Sequence, residues 1–184
     1  MQQAQPITLG HHLMAQVWLH CDDFDRLQLA FKHTNVNCLG TASLAGQSWP
    51  LNRQRTAELL GFDAPTQNAR VSRTYIYRAE VAAAYATLMA TLHYLASDFY
   101  IWYAHEFRMV EPSDEHAGSS SIMPQKKNPY VWEHTRIMAR HASGWPASAL
   151  AALMGASSSD SFLQPPEVER YARTVAGYLR LNTE

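Results

Sequence analysis

The chain has 184 residues, 47% of them hydrophobic and 17% charged, with net charge −1. A chain of this size suits one ordinary core, burying roughly 70% of its unfolded surface. The charge balance argues against a basic nucleic-acid binder and against an acidic tail. Cys21 and Cys38 form no C-x-x-C pair and no disulfide framework. With no basic leader at Met1, a reducing, cytoplasmic compartment is the simplest expectation.

In chain order, the first helix is predicted over residues 7–32. Met14, Val17, Cys21, Phe24 and Phe31 recur at three- and four-residue spacing, with Asp22, Asp23, Asp25 and Arg26 between them. Residues 34–50 carry Asn35, Asn37, Gly40, Ser43 and Gly46 and read as a loop. A short helix over 53–60 should end at Gly61 as its C′ glycine, and 63–66 is a turn.

Residues 72–106 form the longest predicted helix. Val81, Tyr85, Leu88, Leu92, Leu95, Phe99 and Trp102 fall on 4-3 spacing. So do Ala82, Ala86, Met89, His93, Ala96, Tyr100 and Tyr103. Two adjacent apolar seams predict a helix buried over most of its circumference. A membrane span needs ~20 mostly apolar residues. Here 17 uncharged residues separate Glu80 from Asp98, and Thr87, Thr91, His93 and Ser97 are among them, so the stretch reads as bundle core. At ~1.5 Å per residue, such a helix would span ~52 Å. A compact globule of this length is only ~41 Å across. Self-association through this helix is therefore expected.

A second irregular segment spans 110–128. Asn128-Pro129 should then open a helix, with Asn128 as N-cap and Pro129 at N1. Gly144-Trp145-Pro146 should break it. Residues 157–164 read as a polar loop, and Pro165 opens a last amphipathic helix. No strand pattern, repeat or low-complexity tract is present.

Chemistry concentrates in Gly118-Ser119-Ser120-Ser121-Ile122-Met123-Pro124-Gln125-Lys126-Lys127-Asn128-Pro129. Hydroxyls, two ammonium groups and the start of a helix make a site for an anion such as a carboxylate. On chemistry alone, a solvent loop with an Asn-Pro helix start is the favoured reading of the segment. His134 and His141 lie seven apart on one helix face, ~10 Å apart and too far for one metal. No G-x-S-x-G elbow supports a serine hydrolase.

The loop resembles the signature of the fumarase/aspartase superfamily, and its Gln-Lys-Lys form resembles the argininosuccinate lyase branch. The stretches Ala4-Gln5-Pro6-Ile7-Thr8-Leu9-Gly10-His11-His12-Leu13, Leu39-Gly40-Thr41-Ala42-Ser43-Leu44-Ala45-Gly46 and Ala57-Glu58-Leu59-Leu60-Gly61-Phe62 resemble that family in the same order. The resemblance implies an all-α long-helix bundle, no metal and no cofactor. It implies a homotetramer whose sites draw on three subunits, and elimination that releases fumarate from an N-substituted aspartate. Over 1–184 the chain would correspond to the central helical-bundle domain, incomplete. The family's Thr-His acid pair would precede Met1, so the isolated chain is expected to be inactive.

By position, the resemblance makes Ser120, three places before Met123, the catalytic base. It makes Lys126 and Asn128 the substrate-carboxylate residues and Gln164 a substrate contact. Lys127 is expected to face solvent. Serines on both sides of Ser120 leave that register open by one. Ser119 stands where the family has Gly, and Ser72-Arg73-Thr74-Tyr75 where it has Ser-Asp-Arg-Asp. The alternatives are a non-catalytic helical oligomer and a lyase with a different amine leaving group.

Overall fold

The computed structural model describes residues 2–154. The predicted loop 157–164, the last helix and Gln164 lie outside these residues. The all-α expectation holds. Helix α1 runs Leu9–Thr34, α2 Arg53–Leu60, α3 Tyr77–Tyr103, α4 Tyr130–Ala142 and α5 Trp145–Leu153. Against the expectation of no strands, the described residues include four of two residues each. Val36–Asn37 (β1) pairs in parallel with Ala64–Pro65 (β2), and Gly118–Ser119 (β3) pairs antiparallel with Lys127–Asn128 (β4). Two-residue pairings leave no alternation to detect in a sequence.

Helix α1 starts where the Thr8 hydroxyl accepts from the His11 N–H at 3.2 Å. Lys32 and His33 in its last turn suit the negative end of the helix dipole. Its apolar stripe does not face the chain's own core. Met14 and Val17 are each 50% exposed, Phe24 59% and Phe31 64%. Asp23 and Ala30 are the residues α1 buries. Asp23 Oδ1 accepts from Arg26 Nη1 at 2.9 Å.

The loop after α1 is fixed by Arg53 at the start of α2. Its Nη2 donates to the carbonyl and hydroxyl of Thr66, both at 2.9 Å, and its Nε to the Leu39 carbonyl at 3.2 Å. Gly40, at φ +79°, lies under this arginine, and a Cβ there would come within 2.9 Å of Arg53 Cγ. Helix α2 has the predicted bounds and ends at Gly61 in the left-handed region, φ +77°.

Helix α3 has 27 residues and spans ~40 Å, not ~52 Å. The 3-10 turn Ala69–Arg73 and Tyr75 at φ +49° take up the residues before it. Its length therefore fits one globule, and overhang gives no argument for self-association. The second apolar seam is the inner one: Ala82, Met89 and Ala96 are 2%, 1% and 4% exposed. Helices α1, α4 and α5 all pack on α3. The core gathers Met89 and Trp145 with Ala79, Ala82, Ala139, Ala142 and Ala149. Alanines at the crossings let helix backbones approach closely around two large side chains. The predicted break falls at Gly144, between α4 and α5, with Pro146 in the first turn of α5.

Candidate active site

The segment 104–129 connects the end of α3 to the start of α4. Its base is an aromatic cluster. Phe99 stacks on Trp132 with ring centroids 5.5 Å apart, and Tyr103 meets Trp132 edge-on at 5.9 Å. The Tyr103 hydroxyl donates to the Lys127 carbonyl. Beyond it, β3 and β4 place Gly118 opposite Asn128 and Ser119 opposite Lys127. The signature residues 120–126 are the tip of this narrow hairpin.

At the tip, the Ser120 hydroxyl accepts from the backbone N–H of Met123 at 3.3 Å and of Ile122 at 3.4 Å. The Lys126 N–H donates to the Met123 carbonyl at 3.0 Å. Lys126 is exposed. Asp114, Ser119, Gln125, Lys126 and Lys127 share a shallow cavity of about 290 Å³. Ser119 lines it and Ser120 does not; the Ser120 hydroxyl is turned into its own loop. The structure thus brings Lys126 and Asn128 onto one hairpin beside Ser120. Gln164 lies outside the described residues.

Two sequence expectations change. Asn128 is not an N-cap: α4 starts at Tyr130, has no side-chain cap, and Pro129 holds the cap position. A residue before proline is pushed towards extended backbone, which places Asn128 in β4. Lys127 does not simply face solvent. Its Nζ lies 2.7 Å from Asp114 Oδ1 and 3.0 Å from Glu111 Oε1. These hydrogen bonds hold the Lys127 ammonium above its ordinary pKa, Asp114 contributing most, and the same bond holds the Asp114 carboxyl below its own. Sequence reasoning missed Glu111, Asp114 and Tyr103. The available signal was two acids just before a Gly/Ser tract that ends in two lysines.

Elsewhere, His93 is held below the ordinary histidine pKa, first by burial and then by Arg136 and Arg140 across on α4. A larger cavity of about 590 Å³ lies at the opposite end of α3, where His33 Nδ1 and Glu80 Oε2 pair at 2.7 Å. Among the described residues no group of three His, Cys, Asp or Glu gathers to hold a metal. No described helix is long and apolar enough to cross a membrane.

The family model described as Lyase matches residues 1–144, and the chain belongs to that family. Its relatives place it nearer to one branch. Argininosuccinate lyase of Geobacillus thermodenitrificans is 38% identical over 189 residues, covering 100% of this chain and 41% of the relative. Argininosuccinate lyase of Methanosarcina barkeri is 41% identical over 155 residues, covering 84% of this chain and 31% of the relative. This chain therefore spans about a third to two fifths of the length of such relatives. The crystal structure of EDDS lyase in complex with formate matches at TM-score 0.84 and 38% identity, over 89% of this chain and 33% of that one. The class II fumarase of Schistosoma mansoni matches at TM-score 0.80 and 17% identity, over 97% of this chain and 42% of that one, and shares the fold.

Proposed function

We propose that this chain carries the base-bearing loop of an argininosuccinate-lyase-like enzyme. The reaction is cleavage of a C–N bond in an N-substituted aspartate, with release of fumarate. The observation that carries this reading is the setting of Ser120: its oxygen already accepts two backbone N–H groups, from Ile122 and Met123. A serine hydroxyl is a weak base, and such donors stabilise the alkoxide it must become.

In this reading Ser120 Oγ takes the proton from the carbon next to the substrate's carboxylate. The electron pair left behind spreads onto that carboxylate. Lys126 and the Asn128 amide meet the growing charge, and donors placed where charge develops lower the barrier more than they tighten ground-state binding. The C–N bond then breaks, and the amine leaves with a proton from an acid that other segments supply. The substrate is a small dicarboxylate and the reaction needs no cofactor. The enzyme is a cytoplasmic homotetramer, in which a neighbouring copy covers the exposed α1 stripe.

A second reading keeps the chemistry and changes the amine, supported by the likeness to EDDS lyase at the same 38% identity. The test is complementation. This chain is mixed and refolded with full-length argininosuccinate lyase of G. thermodenitrificans whose own signature serine is replaced by alanine. Ultraviolet absorbance then follows fumarate. This chain should restore release from argininosuccinate, and its Ser120→Ala variant should lose it by about 10²–10⁴-fold. Rescue that survives Ser120→Ala refutes the assignment. Rescue that is lost instead in Ser119→Ala moves the base by one residue.

A further inference from the structure

Lys127 stands between the two side chains assigned to the substrate's carboxylate, and it is held from three directions. Its ammonium lies 2.7 Å from Asp114 and 3.0 Å from Glu111, both on the arm leading into the loop. Its carbonyl accepts the hydroxyl of Tyr103, in the last turn of α3. Its backbone pairs with Ser119 on β3. Successive side chains of extended backbone point to opposite faces. Lys127 and Asn128 are the two residues of β4, so fixing Lys127 towards Glu111 and Asp114 turns Asn128 to the other face, while Lys126, just before the strand, shares the cavity lined by Asp114 and Lys127.

We propose that Lys127 is a positioning residue, an ionic clasp that closes the base of the signature loop and aims Asn128 at the substrate. It does not touch the substrate itself, because two carboxylates already hold its ammonium. The proposal rests on the carboxylate role given above to Asn128. Glu111 and Asp114 have side chains 71% and 96% exposed. Pairs this exposed are individually weak.

Hydrogen exchange of the full chain, read by mass spectrometry on peptides from 117–129, tests the clasp without any need for turnover. Lys127→Met and the double variant Glu111→Gln/Asp114→Asn should each exchange about two- to five-fold faster there, the range expected for exposed ion pairs. Lys127→Arg should behave as wild type. Peptides from α3 and α4 should not change. Corrected for intrinsic rates, wild-type protection should fall as pH drops through the lowered range of the Asp114 carboxyl. The double variant, which retains the neighbouring Glu115, His116 and Lys126, should show no such step.

In the complementation assay Lys127→Met should raise KM more than it lowers kcat, with Lys127→Arg restoring both. Unchanged exchange in Lys127→Met, an equal rise across α3 and α4, failure of arginine to rescue, or a pH step surviving in the double variant would each overturn the clasp. Faster exchange with unaltered KM and kcat would overturn its positioning role. Turnover that survives Ser120→Ala would count against the catalytic reading alone, because the exchange result does not depend on it.

Discussion

Met89 offers the sharpest test of the packing that carries the loop. It is 1% exposed and lies among Ala82, Ala139, Ala142 and Ala149, with Trp145 in the same cluster. Met89→Ala removes Cγ, Sδ and Cε. At ~0.8 kcal/mol per buried group the transfer loss is about 2.4 kcal/mol. The alanines around the hole have no side-chain rotamers with which to fill it. A residual cavity of ~40 Å³ then adds about 1 kcal/mol at ~24 cal/mol per Å³. The expected cost is about 3–4 kcal/mol. Met89→Leu, which nearly conserves volume, should cost less than ~1.5 kcal/mol. Urea unfolding followed by circular dichroism, at one fixed protein concentration, measures both. A loss below about 1 kcal/mol for Met89→Ala, or equal losses for the two variants, would refute the close crossing of α3 with α4 and α5.

Gly61→Ala should destabilise by about 1 kcal/mol in thermal unfolding, wholly through its left-handed φ of +77°, because nothing lies within 4 Å of the added Cβ. The His93 pKa is lowered in the fold by burial and then by Arg136 and Arg140, so near that range the unfolded chain binds more protons. Wild-type stability should therefore fall as pH drops below 6.5 towards the lowered value, and denaturant midpoints of His93→Gln should be flatter over that stretch. Val17→Asp/Phe24→Asp, on the exposed stripe of α1, should shift sedimentation towards smaller species. A wild-type chain that sediments as a stable monomer at micromolar concentration would refute self-association.

How much could be read from residues alone depended on how local the cause was. Helix α2 and its glycine were legible because capping and left-handed backbone are set within a few residues. Helix α1 came within two residues at each end, but its spacing did not say what its apolar stripe faces. Periodicity reports that Met14, Val17, Phe24 and Phe31 share a side, not what covers that side. The start of α3 was placed five residues early, because nothing apolar distinguishes the 3-10 turn before it from a helical turn. Ser120 and Lys126 came from the resemblance, and chemistry alone would have left their loop to solvent. The ion pairs of Lys127 join residues 13 and 16 positions apart across an irregular segment, where no spacing rule applies. Asn128 carried two opposed signals, a capping side chain and a following proline, and the backbone preference imposed by proline prevailed.

Helix α3 also acts as a ruler. Its first turn bears Glu80, on the rim of the larger cavity, and its last turn bears Tyr103, whose hydroxyl meets the Lys127 carbonyl. Between them lie ~35 Å of rigid rise. A single inserted residue anywhere in that length would turn everything downstream by about 100° and advance it by ~1.5 Å. Tyr103 would swing away from the hairpin while its sequence neighbourhood stayed intact. Along this stretch, substitutions can be absorbed one at a time, but changes of length break the phase between the two ends of the molecule.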